Sequence, residues 1–373
     1  MFYMIIIELL RRKICKITLF LTFSCVIWHA AAGEPMSEKQ NFIFNQKCVV
    51  DLHLHLDGSI SVKSARELAK IEGVVLPESD LELEKMLSVD EGCRDLNEYL
   101  TKFSLPGSLM QKKKSLERCA YNLCRELLDD GFIYAEIRFA PQKHLQKGLT
   151  QKQAVESVLR GVKKSGLKAN LILCAMREGF DNSKENLETV RLVKEFSGRG
   201  VCALDLAGAE ALFPNENYRY VFERARDLGV ACTIHSGEAL GADSVETAVE
   251  FGAVRIGHGV RSAESEKTMQ RLCQKRIPLE ICPTSNLNTS VFESYAEIPL
   301  KKLLSAGVIV TVNSDNIAVS RTDARKEMQH LIDEQNLTAS EVKMLVLNSV
   351  EAAFLPEEEK QELRKTIEAE FAL

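Results

Sequence analysis

At 373 residues, 45% hydrophobic and 27% charged, the chain has an ordinary globular composition and enough length for one large core. A formal net charge of -5 excludes the basic excess that nucleic-acid binding requires, and the run Lys112-Lys113-Lys114 reads as a solvated helix face. The eleven cysteines are scattered without zinc-finger spacing, and Cys174, Cys202, Cys232 and Cys282 fall in apolar, strand-like runs. They read as reduced, buried thiols, which excludes a disulfide framework and points to a reducing compartment.

Residues 1–40 stand apart. Arg11-Arg12-Lys13 and Lys16 precede an apolar run from Ile17 to Trp28, and His29-Ala-Ala-Ala-Gly33 ends it in small residues. That is the pattern of a secretory signal, and the run is short for a membrane span. Met1–Leu10 is apolar too, unlike the charged lead of a signal. An over-extended start, with translation beginning at Met36, accounts for this. The expectation is a cytoplasmic protein with no stable membrane insertion, whose folded unit occupies 41–373. A genuine signal, with a secreted or periplasmic protein, is the alternative.

The first element is the stretch Cys48–Ser59. Val50, Leu52, Leu54 and Leu56 alternate with Asp51, His53, His55 and Asp57, which predicts a β-strand. His53 and His55 then share one face, close enough to grip a cation together. Ser61–Gly73 has apolar residues at helical spacing and Gly73 as a stop. Within 95–103, Leu96, Tyr99, Leu100 and Phe103 share a helical face, which suits a core helix and an apolar lid equally. Ser108 and Gln111 fit a capping box for a long helix ending at Asp130, before Gly131.

A rhythm of short apolar strands and amphipathic helices follows. The predicted strands are Tyr134–Phe139, Asn170–Met176, Val201–Gly208, Ala231–Glu238, Arg255–Gly259, Leu279–Ser285 and Ile309–Asp315. With the opening strand there are eight, and strand–helix alternation implies a parallel sheet. The predicted fold class is α/β, a single (β/α)8 TIM-type barrel with extra helices after the first strand and at the C-terminus. Thr338 and Glu341 fit a further capping box, and Pro356 opens a last charged helix.

In such a barrel the active site lies at the C-terminal ends of the strands. Those ends carry His53, His55 and Asp57, then Gly208, His235 and Glu238, His258, and Asp315 with Asn316. Each has an ordinary reading alone: a core histidine, a loop charge, a turn residue, a helix cap. Their joint placement on one rim makes those readings improbable together. His144 falls in a loop and His330 on a helix, and both read as ordinary. Three imidazoles (His53, His55, His235) and the Asp315 carboxylate form a nitrogen-rich divalent site that suits zinc, although iron, manganese and cobalt also fit. An ion in such a nest activates water near neutral pH. Glu238 lies three residues past a ligand and can act as general acid/base. His258 and Asp315 can hold the attacking water. The reaction class is metal-assisted hydrolysis at carbon.

The motifs His-Leu-His-Leu-Asp-Gly-Ser (53–59), Leu-Asp-Leu-Ala-Gly (204–208), Ile-His-Ser-Gly-Glu (234–238), Arg-Ile-Gly-His-Gly (255–259), Cys-Pro-Thr-Ser-Asn (282–286) and Asn-Ser-Asp (313–315) occur in this order, each at a strand end. In them the chain resembles the adenosine deaminases of the amidohydrolase superfamily. The resemblance implies one zinc ion per subunit on His53, His55, His235 and Asp315, and a purine nucleoside as small-molecule partner. It implies that Glu238 protonates purine N1, that His258 orients the hydroxide, that the Gly208 backbone meets N3, that Asp57 lies towards the ribose, and that His55 is also a substrate contact. It favours the lid reading of 95–103. The zinc motif of nucleic-acid deaminases, His-x-Glu with Pro-Cys-x-x-Cys, is absent.

Two positions depart from the family pattern. Asn316 stands where a second Asp is usual, and its amide can still donate to N7. Ala209 stands where an acidic residue is frequent. Arg138 and Arg177, near the second and third strand ends, keep open a phosphate-bearing substrate such as an N6-substituted adenine nucleotide; adenine itself is a further alternative. A catalytically inactive nucleoside-binding or growth-factor-like barrel is the non-enzyme alternative. The complete ligand set together with Glu238 weighs against it.

Overall fold

Eight parallel strands form the framework of the computed structural model, which describes residues 48–90 and 92–371. They are β1 (Val49–His55), β2 (Phe132–Phe139), β3 (Ala169–Met176), β4 (Val201–Ala207), β5 (Thr233–Ser236), β6 (Arg255–His258), β7 (Leu279–Ile281) and β8 (Val310–Val312). Residues 1–40, with their signal-like pattern, lie outside the described residues. Hydrogen bonding groups the strands into two four-stranded sheets, β1-β2-β3-β4 and β5-β6-β7-β8. Single parallel bridges join them at both seams, Leu204 with Cys232 and Leu54 with Asp315. The expected (β/α)8 barrel is the observed fold.

Helices follow the strands as the alternation predicted. Gln151–Ser165, Ser183–Phe196 and Arg219–Leu228 follow β2, β3 and β4. Their apolar stripes bury against the barrel; Val155, Val158, Val190, Val193, Val221 and Phe222 are all core residues. The extra C-terminal helices Ala339–Ala352 and Glu357–Phe371 bury Val350, Leu363 and Ile367 against Val50, Leu52 and Tyr134. The Thr338–Glu341 capping box forms as predicted. All nine cysteines of the described residues are free. No helix among the described residues is long and apolar enough to cross a membrane.

Some boundaries differ from expectation. The long helix starts at Lys113, capped through Lys112 and Ser115. Ser108 instead closes a short helix by donating to Leu105 O at 2.7 Å, and the Gln111 amide ties Gly107 O to Lys143 O at 2.7 and 3.0 Å. β7 stops at Ile281 because Pro283, which has no N–H for the ladder, opens the helix Pro283–Asn288. β5 stops at Ser236 because Gly237 turns the chain with φ +70°.

The barrel interior is charged. Asp51, Glu136, Arg138, Asp205, Arg255 and Glu280 are each 1% exposed or less. Arg138 of β2 pairs at 2.8 Å with both Asp205 of β4 and Glu280 of β7. Arg255 of β6 pairs with Glu136 of β2 at 2.6 Å and also with Glu280. β6 and β7 are neighbours, but β2 adjoins none of β4, β6 or β7, so the pairs Arg138–Asp205, Arg138–Glu280 and Arg255–Glu136 cross the interior. At the end away from the site, Arg255 donates to Ala352 O at 2.9 Å and lies over the Phe354 ring at 4.0 Å. Buried ion pairs recover their desolvation cost only when well hydrogen-bonded, and here each arginine meets two carboxylates and at least one backbone carbonyl.

Candidate active site

Alternation on β1 brings His53 and His55 to one face, and β5 and the turn after β8 add His235 and Asp315. The four donor atoms lie within 4.8 Å of one another, and all four residues are buried. His53 Nε2 is 3.1 Å from His235 Nε2 and 3.5 Å from Asp315 Oδ1. His55 Nε2 is 3.4 Å from His235 Nε2 and 3.3 Å from Asp315 Oδ1. Bonds of roughly 2.0–2.1 Å around a tetrahedral ion put neighbouring donors about 3.3 Å apart, so the spacing fits such an ion.

The proton positions support the same conclusion. His53 Nδ1 faces Glu280 Oε2 at 2.8 Å, and His235 Nδ1 faces Asp205 Oδ2 at 2.9 Å. A carboxylate accepts, so each Nδ1 carries the proton and each Nε2 presents a lone pair. Two lone pairs facing each other at 3.1 Å repel unless a cation sits between them. Burial opposes ionisation of Asp205 and Glu280. Even so, His235 and Arg138 hold Asp205, and Arg255 and Arg138 hold Glu280, well below the ordinary carboxylate range. Burial keeps the imidazole of His55 well below its usual value.

Glu238 lies beside this nest. Its Oε1 is buried without a hydrogen-bond partner, and its Oε2 is 3.6 Å from His258 Nε2. Burial, then the charges of Asp315 and Glu210, push its carboxyl well above the usual range. Burial and then His53 push His258 well below its usual value, leaving a neutral ring. His258 and Asp315 both sit at φ 58°, a left-handed conformation that non-glycine residues adopt at some cost and that here aims both side chains inward.

A cavity of about 690 Å³ opens over these groups. Asp57, in the short turn after β1, lines it with Oδ1 buried and unpartnered, and burial raises its carboxyl to about 6. Gly208 reaches it with φ +113°, and a Cβ there would sit 3.1 Å from Arg177. Asn316 lines it with Oδ1 buried and unpartnered. Gly58 is what admits Asn316, since a Cβ on Gly58 would lie 1.7 Å from Asn316 Oδ1. The structure therefore brings His55, Asp57, Gly208, His235, Glu238, His258, Asp315 and Asn316 to one cavity, while His53 is fully buried and joins the group through His235 and Asp315.

The sequence model of adenosine deaminase matches residues 48–370. The chain belongs to the adenosine deaminase family. It is 47% identical over 333 residues to an adenosine deaminase of Haemophilus ducreyi, covering 87% of this chain and 96% of that one. It is 39% identical over 325 residues to an adenosine deaminase of Clostridium botulinum strain 657, covering 86% and 98%. Among solved structures, an amidohydrolase from Burkholderia ambifaria with bound Zn superposes with a TM-score of 0.81 at 20% identity, covering 92% of this chain and 95% of that one. An adenine deaminase from Arthrobacter aurescens gives 0.77 at 24%, covering 88% and 100%. The N6-methyl-AMP deaminase of Arabidopsis thaliana gives 0.76 at 24%, covering 88% and 98%. These likenesses bear on the fold.

In this adenosine deaminase family member the 95–103 segment is a short helix, Leu96–Leu100, running into a 3-10 turn, Thr101–Phe103. Leu96, Tyr99, Leu100 and Phe103 all line the cavity, which favours the lid reading. Neither arginine considered for phosphate is free. Arg138 is fully buried in its ion pairs. Arg177 donates at 2.7 Å to Phe213 O, to Asn215 Oδ1 and to His235 O. Lys143 lines the cavity but is paired with Glu178. His144, read as an ordinary loop residue, is buried, lines the cavity wall and is pushed down to about 4 by burial.

Proposed function

We propose that the protein is an adenosine deaminase that converts adenosine, and 2′-deoxyadenosine, with water into the inosine product and ammonia. The observation that carries this reading is the buried, unpartnered Glu238 carboxyl facing the cavity beside a three-histidine, one-aspartate nest. Identity of 47% to an adenosine deaminase supports the substrate.

His53, His55, His235 and Asp315 would hold one divalent ion, zinc by the nature of the donors, which when bound supplies water activated near neutral pH and positive charge. The chain's own groups do the rest. Glu238 gives its proton to purine N1, which draws electrons from C6 and opens it to attack. His258, a neutral ring, accepts a hydrogen bond from the attacking water and aims it at C6. The Gly208 N–H meets N3, the Asn316 amide donates to N7, and Asp57 with His55 holds the ribose. The attacking water loses two protons, one returning to the Glu238 carboxylate and one passing to N6. The C6–N6 bond then breaks, ammonia leaves and the oxygen stays on C6 as the carbonyl. The flap residues exclude bulk water, which strengthens each of these contacts.

Ammonia release from adenosine, 2′-deoxyadenosine, adenine and AMP tests the reading. Turnover of the two nucleosides far above the other two is expected. Preference for adenine or AMP overturns the substrate, and no release from any 6-aminopurine overturns the enzyme.

A further inference from the structure

The loop after β5 decides where the Glu238 carboxyl stands, and one side chain governs that loop. Glu210 is 1% exposed. Its Oε1 accepts from Gly237 N at 2.8 Å, and its Oε2 accepts from Glu238 N at 3.1 Å, Ala239 N at 2.8 Å and Leu240 N at 3.1 Å. The Ser244 hydroxyl adds a fifth donor at 2.6 Å. Four consecutive amides converge on one carboxyl because Gly237 turns the chain with φ +70°. A Cβ at Gly237 would also sit 2.5 Å from Val245 Cγ2. On the other side of the same peptide, Arg261 Nε donates to Glu238 O at 2.9 Å. The Glu238 backbone is thus held from both sides.

Glu210 also belongs to the β4 loop, two residues past Gly208. One carboxyl therefore ties the loop that carries the Gly208 amide to the loop that carries the Glu238 acid. We propose that Glu210 is a positioning residue for the reaction: it sets the separation between the Gly208 amide and the Glu238 carboxyl, across which the purine ring is held. The proposal rests on Glu238 acting on the ring as described above. A shift of about 1 Å in a reacting group is enough to cost about 100-fold in rate.

The test uses the metal-loaded enzyme and Glu210→Gln, which keeps the volume but turns an amide NH2 towards backbone donors. The expected result is a kcat for adenosine lowered about 10- to 100-fold, a KM within about threefold, and unchanged bound metal. Because Glu210 works through Glu238, adding Glu210→Gln to Glu238→Gln slows the enzyme by less than about twofold more. Wild-type kcat in Glu210→Gln, or the same fold-loss in both backgrounds, overturns the proposal. Loss of metal or a change confined to KM also overturns it. Glu238→Gln alone separates the two ideas: wild-type turnover there overturns the reading of the site itself. If Glu210→Gln does not fold, Ser244→Ala removes one donor to the same carboxyl. A kcat lowered about threefold at constant KM is then expected, and an unchanged kcat overturns the proposal.

Discussion

Glu238 Oε1 has no partner in a buried place, and an unpaired polar atom there is costly unless something else meets it. A purine ring nitrogen accepting its proton meets that need. Glu238→Gln removes the acid while leaving the four donor atoms of the nest untouched. Turnover falls by about 10²- to 10⁴-fold while metal content, measured by plasma emission, stays at the wild-type level. Loss of metal in this variant contradicts the assigned role. Asn316 makes a weaker demand. Under the proposed function its amide supplies one neutral hydrogen bond to the ring, worth about 0.5–1.5 kcal/mol, so Asn316→Ala lowers kcat/KM for adenosine about 2- to 10-fold with metal intact. Unchanged kinetics mean that N7 is not read there. His53-x-His55 was legible in the sequence because period-two alternation states which side chains share a face. Glu210 was not. Its five donors come from the loop after β5 and from Ser244 in the helix that follows it, and nothing in the Gly208-Ala209-Glu210 run announces them.

Strand and helix boundaries show the same division between local and distant causes. Ser61, Gly73, Thr150 and Thr338 cap their helices, because capping is settled within four residues of chain. β7 and β8 came out shorter than their apolar runs, since the ladder ends where the chain turns to aim side chains at the site. The helix Ala324–Gln335 offers a test that the cavity does not enter. Its Glu327 is fully buried, with Oε2 accepting from Thr284 N at 2.9 Å and Oε1 unpartnered. Burial raises its carboxyl from 4.5 to about 8. A group raised on folding binds its proton more tightly folded than unfolded, so its contribution is greatest below 4.5 and is lost as pH rises to about 8. The wild-type protein therefore melts at a lower temperature at pH 8 than at pH 6, and Glu327→Gln shrinks that difference. Equal differences in both proteins show that another group governs the slope.

Across the barrel, the ionic interior and the metal nest form one structure. Arg138 bridges the carboxylates that hold His235 and His53, at Asp205 and Glu280. The sequence did not show these charged strand residues as an ion-pair network, because the partners of Arg138 lie 67 and 142 residues away. Only barrel closure turns them inward. The network fixes the histidine tautomers before any ion arrives, as carboxylate–histidine pairs do in metal sites generally. It follows that ion loss harms stability as well as activity. An ion that binds the folded chain but not the unfolded one stabilises by about 4 kcal/mol at a thousandfold excess over Kd. Removing it leaves the facing Nε2 lone pairs of His53 and His235, 3.1 Å apart, without the charge between them. Chelator-treated protein accordingly loses ammonia release and melts several degrees lower, and added zinc restores both together. Asp205→Asn keeps a group of the same size but weakens the hold on His235 Nδ1, so it lowers metal affinity about 10- to 100-fold. Its zinc titration, followed by melting temperature, then shifts to higher metal by the same factor. A chelated protein that melts as before would place the stability elsewhere and break the link between interior and nest.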